Sequence, residues 1–303
     1  RNNLDITILG EGTNVVLNQN IPGLVLKIDI KGKTFNQEGQ DIVLEVGAGE
    51  SWSSLVDWTV GKSWYGLENF SLIPGTAGAA PIQNIGAFGV ELSERLISVK
   101  AVFRATGETI EIGADECDFG YRHSRFKGSG AGIYVITAIK LRLHKQANLN
   151  YSYPSLKKAL LDELGTLTDD NLSPRLISDT VKQLRQKNLP DPVHWPNAGS
   201  FFKNPIVDRE HLNDLLASHP KLPYFPVADD LAKVPAAWMI DHCGFRGYQY
   251  KNIGVHESHA LVLVNYGSGS FSEIVELSDL IKNSVEKYFS VRLIIEPTLY
   301  GID

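Results

Sequence analysis

The sequence predicts an α+β fold in two domains, and three observations carry that expectation. Ile6 to Leu9 and Val15-Val16-Leu17 flank the turn Gly10-Glu11-Gly12-Thr13-Asn14, giving strand, glycine turn and strand in succession. Strand composition at Val43 to Val46 and Val99 to Phe103 is interleaved with a helix-like apolar face at Trp52 to Val60. At 303 residues the chain is long for one core, and about two domains are expected from typical domain sizes.

Each element has its own signal. A dinucleotide fingerprint of the βαβ kind would continue from its glycine turn into a helix and carry a third glycine. Gly10 to Asn14 runs into a strand instead, although closely spaced glycines still let backbone N–H groups approach an anion. The chain opens on Arg1 and enters a strand almost at once, so a natural start upstream is expected, with part of the first domain outside the chain. Ser173-Pro174 starts a helix, with Ser173 as cap and Pro174 in the first turn. Ile177, Val181 and Leu184 recur at helical spacing until Leu189-Pro190-Asp191-Pro192 ends the pattern, and the domain boundary is placed there. Beyond it come helices at Asp208 to Ala217 and Pro235 to His242, and strand-like runs near Gly254 and at Ala260 to Asn265. A helix marked by Ile274, Leu277, Ile281 and Val285 precedes a strand at Val291 to Ile295, closed by Glu296-Pro297.

Composition excludes several classes. Apolar residues make up 43% and charged residues 21%, as in a globular protein with a sizeable core. A net charge of −6 with a pI near 5.8 argues against sequence-independent nucleic-acid binding, which needs a basic surface. No run of about 18 apolar residues marks a membrane span, and no secretory signal is visible. Cys117 and Cys243 lie far apart, without metal-ligand or redox spacing, so a disulfide framework is not expected and the cytosol fits.

Four segments could carry chemistry. Asn197-Ala198-Gly199-Ser200-Phe201-Phe202-Lys203-Asn204-Pro205 sets one hydroxyl beside small residues, two rings, a cation and an amide. A nucleophilic serine needs a base held by an orienting group, and no Gly-x-Ser-x-Gly elbow surrounds Ser200, so a proton donor or hydrogen-bonding group is the better reading. Ile73 to Gly89 holds four glycines, four alanines and no charge. Either it is a buried small-residue loop, or it lies against a large planar ligand with backbone amides as donors. Two such loops in one domain suggest a dinucleotide. Gly120-Tyr121-Arg122-His123-Ser124-Arg125-Phe126-Lys127 is rich in cations within an acidic protein, and on composition either arginine could pair with a carboxylate or enolate. His256-Glu257-Ser258-His259 is a lone His-x-x-His, weak evidence for zinc, and no metal is expected.

These segments, in this order, resemble the UDP-N-acetylenolpyruvoylglucosamine reductase family over nearly all 303 residues. The resemblance implies an FAD-binding portion of the vanillyl-alcohol-oxidase (PCMH) type at residues 1–188, in lobes of about 1–30 and 31–188. An α/β substrate domain at 189–303 follows. It implies FAD contacts from Gly10, Glu11, Gly12, Thr13, Asn14, Pro74, Gly75, Thr76, Gly78, Ala79, Gln83, Asn84, Gly86, Ala87, Gly89 and Arg122. Arg122, Ser200 and Glu296 match the catalytic segments. Tyr121, Tyr153, Lys203, Asn204 and His259 match substrate contacts, with Tyr151 a close alternative to Tyr153 as the nucleotide lid. The implied reaction is NADPH-dependent reduction of UDP-N-acetylglucosamine enolpyruvate to UDP-N-acetylmuramate through non-covalent FAD, for peptidoglycan synthesis. A cytoplasmic monomer without nucleic-acid or membrane partners goes with it. One position departs: Asn188 stands where the family often has lysine before Leu-Pro-Asp-Pro, with Lys187 one place earlier.

Overall fold

The structure, a computed structural model, describes residues 4–18 and 21–301. It divides into two compact units, one of residues 1–13 and 22–187, the other of residues 14–21 and 188–303.

The first unit is built on a five-stranded antiparallel sheet in the order Lys33–Glu38, Asp41–Gly47, Tyr134–His144, Leu96–Phe103, Thr109–Gly113. Asp41–Gly47 follows a strict two-residue period, with Ile42, Leu44 and Val46 buried on one face. Tyr134–His144 buries Ile136 and then Ile139, Leu141 and Leu143. The change of phase falls at a register shift between Ile136 and Ala138, where an irregularity turns the apolar set back to the core. Helix α1 (Trp52–Gly61) is capped by the Ser51 hydroxyl, which accepts from the Ser54 N–H at 3.4 Å. Its Trp52 meets Phe70 edge to face at 5.7 Å in the core. Helices α2 (Pro154–Leu164) and α3 (Pro174–Asn188) bury Leu156, Leu160, Ile177 and Val181 in a second, smaller cluster. As the sequence predicts, α3 begins at Pro174, and the Ser173 hydroxyl accepts from the Leu176 N–H at 3.2 Å. Ile6–Leu9 pairs in parallel with Leu24–Lys27.

The second unit packs α4 (Arg209–Ser218), α5 (Ala236–His242) and α6 (Phe271–Phe289) with two three-stranded sheets. Ser270 and Glu273 form a reciprocal capping box at the start of α6, and Leu277, Ile281 and Val285, four residues apart, put one stripe in the core. Asp208 caps α4 by accepting from the His211 N–H at 2.9 Å.

Residues 14–21, expected in the first lobe, are grouped with the second unit, where Val15–Leu17 pairs in parallel with Thr298–Tyr300. Two expectations are corrected. Val291 to Ile295 is no ladder strand: Val291 and Leu293 are buried and Arg292 and Ile294 exposed, which imitates a strand, yet only Ile295 forms a bridge, to Phe202. The run at Ala260 to Asn265 is a strand only over Leu263–Asn265.

Cys117 is fully buried, its Sγ lies 3.2 Å from the Gly113 carbonyl oxygen, and burial pushes the thiol up to about 11. Both cysteines are free thiols. The folded protein should therefore resist alkylation at Cys117 by iodoacetamide at mildly alkaline pH and take one further label at that residue only on unfolding. Rapid stoichiometric labelling of Cys117 in the native state, read by peptide mass spectrometry, would contradict this packing.

Candidate active site

In the first unit the two glycine-rich loops lie against each other. A Cβ on Gly10 would stand 2.7 Å from Thr76 Oγ1, and the Gly75 N–H donates to Glu11 Oε2 at 3.1 Å. Behind them Gly78 presses on the sheet, where a Cβ would meet Ala48 Cβ at 2.5 Å. Backbones approach this closely only without side chains. The loop 73–89 is closed at its far end by Asn84, which is fully buried in a left-handed conformation (φ 45°). Its amide donates to Glu91 Oε2 (2.8 Å) and the Gly120 carbonyl (3.2 Å) and accepts from the Ser93 N–H (2.9 Å). The Asn84 side chain thus organises the loop.

The two arginines that composition left open differ in geometry. Arg125 donates to the Glu116 carbonyl at 3.0 Å and to the Tyr134 hydroxyl at 3.3 Å, and lies over the Tyr134 ring. Arg122 instead reaches the small-residue loop, where its Nη2 donates to the Gly86 carbonyl at 2.7 Å, and its guanidinium lies 5.5 Å from the Tyr121 ring centroid. Its backbone is left-handed (φ 51°), a strained state for a side chain of this size. Tyr153 is exposed, packs edge to face on Phe88 at 5.5 Å and lies within 3.7 Å of a Cβ placed on Gly89. Tyr151 is packed into the α2–α3 cluster. Lys187 and Asn188 are exposed at the end of α3.

In the second unit Ser200 to Lys203 runs between two other segments. The Phe201 N–H donates to the Leu261 carbonyl at 2.7 Å, Ser200 bridges Val262, and the Glu296 N–H donates to the Phe201 carbonyl at 2.9 Å. Buried Phe201 and Phe202 anchor the segment edge to face at 5.2 Å, so Ser200 stands on a fixed backbone next to that of Glu296. Glu296 itself is buried. Before Ser200 the chain turns at Gly199 (φ 74°), where Asn197 Oδ1 accepts from the Gly199 N–H at 2.9 Å. Asn204 Oδ1 accepts from the Ala236 N–H at 2.9 Å at the start of α5. His256 Nδ1 faces the Ser258 hydroxyl at 2.9 Å and His259 Nδ1 accepts from the Leu261 N–H at 3.3 Å, so both rings are engaged locally rather than arranged as a base for Ser200.

Sequence reasoning missed Glu68 and Arg185. Glu68 is buried beside loop 73–89, accepts from the Gly66 N–H at 2.6 Å, and burial holds its carboxyl above the usual range. Arg185 continues the buried stripe of Ser178 and Val181 on α3. Spacing of three and four residues is the signal for it.

Two family models match separate parts of the chain. A family model described as UDP-N-acetylenolpyruvoylglucosamine reductase, C-terminal domain, matches residues 191–300, and one described as FAD binding domain matches residues 1–113. The chain is 42% identical over 293 residues to UDP-N-acetylenolpyruvoylglucosamine reductase of Chromobacterium violaceum, covering 96% of this chain and 85% of that one. It is 43% identical over 291 residues to that of Paraburkholderia phymatum, covering 96% and 84%. The crystal structure of the Thermus caldophilus enzyme matches in fold with a TM-score of 0.66 at 20% identity, covering 99% of this chain and 86% of that one.

His259 is held below the usual imidazole range, first by burial and then by Arg246 and His256. Below the unfolded value of about 6.5 the unfolded chain takes up a proton that the folded state refuses, so stability is full above that value and is lost as pH falls through it. His259→Gln should lose less thermal stability than the parent between neutral and mildly acidic pH. Superimposable pH profiles of the melting temperature would show that His259 contributes nothing to acid sensitivity.

Proposed function

The chain belongs to the UDP-N-acetylenolpyruvoylglucosamine reductase family, and from that premise we propose how its residues divide the chemistry. It reduces UDP-N-acetylglucosamine enolpyruvate to UDP-N-acetylmuramate in peptidoglycan precursor synthesis, with FAD as cofactor and NADPH as reductant. The first unit fits the cofactor. Its small-residue loops pack so closely that a Cβ at Gly10 or Gly78 would meet Thr76 or Ala48, which leaves backbone at the surface, and a buried guanidinium nitrogen of Arg185 is left without a protein partner.

FAD is assigned to this surface without a covalent bond. Gly10 to Thr13, together with Asn14, serve the pyrophosphate, while Pro74 to Ala79, Gln83 and Gly86 to Gly89 serve flavin and adenosine. Asn84 acts by holding the loop. When bound, FAD supplies the means of carrying a hydride from NADPH to C3 of the enolpyruvyl group. Hydride addition leaves two tasks to the residues of the chain. They must stabilise negative charge at C2 and across the adjoining carboxylate, and they must place a proton on C2.

Arg122 meets the charge electrostatically, in a site where a fixed cation costs no reorganisation. Glu296, in its protonated form, donates a hydrogen bond to the same charge. Ser200 delivers the proton to C2. An alcohol is a weak acid, but the enolate-like centre is a strong base, and a positioned hydroxyl suffices without a histidine. The observation that carries this assignment is the main-chain hydrogen bond from Glu296 to Phe201, which fixes the donor and the carboxyl on neighbouring backbones.

Tyr121, Lys203, Asn204 and His259 are assigned to the sugar nucleotide. Tyr153 is preferred to Tyr151 as its cover, because Tyr153 is exposed beside the loop while Tyr151 is packed away. Among the described residues no helix is long and apolar enough to cross a membrane. We infer a cytoplasmic monomer that binds neither nucleic acid nor membrane.

In Ser200→Ala, NADPH should still reduce the flavin at the parent rate, since that half-reaction places no proton on the sugar. Anaerobic reoxidation by UDP-N-acetylglucosamine enolpyruvate should slow by about 10²-fold or more, the lower range for loss of a general acid. Single-turnover reoxidation at the parent rate would remove Ser200 from the proton step and leave Glu296 as the donor.

A further inference from the structure

Among the described residues, two buried side-chain nitrogens lack any hydrogen-bond partner, Trp52 Nε1 and Arg185 Nε. The indole is neutral, whereas the guanidinium carries a full charge, so Arg185 is by far the costlier to leave unsatisfied. It sits on the inward stripe of α3. One turn and then another back along that stripe are Val181, in the apolar cluster, and Ser178, whose hydroxyl lies 2.8 Å from that of Ser71 just before the small-residue loop. No carboxylate pairs with Arg185 among the described residues. The charged group nearest in effect is another cation, Arg122, and desolvation with that repulsion pulls the guanidinium down to about 10. The C-terminal end of a helix favours a cation, but it fills no Nε hydrogen bond. The buried, unpartnered Nε of Arg185 calls for an acceptor, and an anion suits a guanidinium best.

The identity of that anion comes from where Arg122 is tied. Gly75 and Thr76, at one end of loop 73–89, carry the contacts to Glu11 and Gly10. Arg122 is bonded to Gly86, toward the other end of the loop. Of the parts of FAD, the diphosphate belongs with the glycine turn, and adenine is neutral. The flavin ring changes charge. When NADPH gives up a hydride and becomes NADP⁺, the ring receives two electrons with one proton, and without a second proton it becomes one unit more negative.

We propose that Arg185, beside Arg122, sets the electron affinity of the cofactor by offering its guanidinium to the negative charge that appears on the flavin ring on reduction. The inference rests on FAD binding to the first unit. Arg185 favours the reduced over the oxidised cofactor and so helps drive the NADPH half-reaction, which is a different task from the charge stabilisation assigned to Arg122 during reduction of the sugar.

The test is the two-electron midpoint potential of the FAD-loaded full chain for the parent, Arg185→Met, Arg185→Gln and Arg185→Lys, with FAD content and melting temperature measured alongside. Loss of a neighbouring cation should cost the reduced form about tenfold or more in relative stability, which for a two-electron couple is about 30 mV downward. Arg185→Met and Arg185→Gln should show this drop with FAD retained, and Arg185→Lys should recover most of it. Should Met not fold, Gln keeps a polar group in the same space and carries the measurement. An unchanged potential in folded, flavin-replete Met and Gln variants overturns the proposal. So does equal weakening of both redox states, which would place Arg185 on the diphosphate, or a change confined to the apparent affinity for the sugar nucleotide. A parent protein that binds no FAD would instead sink the cofactor assignment itself.

Discussion

The arrangement depends on glycine backbone packed against its neighbours. Gly10 against Thr76, and Gly78 against Ala48, leave no room for a Cβ, and this closeness brings two sequence-distant loops into one surface. Alanine at Gly78 would place carbon against carbon and push loop 73–89 off the sheet, because packed interiors do not yield by an ångström without moving their neighbours. The loop then fixes the rest of the unit's chemistry. Its end at Gly86 holds Arg122, its other end receives Glu11, and Asn84 spends its polar groups on keeping it in shape.

Much of this was legible in the sequence, for identifiable reasons. Pro174 behind a capping Ser173, the four-residue stripe of α6 and the alternation at Asp41–Gly47 are local signals with one physical reading each. Where the reading failed, a local pattern had two solutions. Val291 to Ile295 alternates burial as a strand does, but its hydrogen-bonding neighbour is the single segment around Phe202, not a ladder. Val15–Leu17 comes directly after the glycine turn, yet its partner is Thr298–Tyr300 near the other end of the chain, a pairing that no window of sequence contains. Arg185 escapes notice in sequence because an arginine on a buried stripe looks like an ordinary charge until its lack of a partner can be seen.

The site residues were legible at different depths. The Asn197 to Pro205 segment announced a hydroxyl without a base, and the structure adds the reason it can be trusted to stay put: two buried rings below it and main-chain bonds on both sides. Arg122 and Arg125 could not be separated by composition, since both are cations in one loop. Their hydrogen bonds separate them, Arg125 being spent on its own scaffold and Arg122 directed at loop 73–89. Asn204 shows the reverse, a residue expected at the substrate whose oxygen also starts α5, so its amide nitrogen remains the group to offer.

Electrons taken from NADPH must reach the enolpyruvyl sugar by way of bound flavin, and every residue role assigned above depends on that route. Reducing the purified protein with one equivalent of NADPH under strict anaerobiosis and then adding UDP-N-acetylglucosamine enolpyruvate tests it directly. The expected result is return of the oxidised flavin spectrum with one UDP-N-acetylmuramate formed per flavin. Flavin that stays reduced until oxygen is admitted would contradict it.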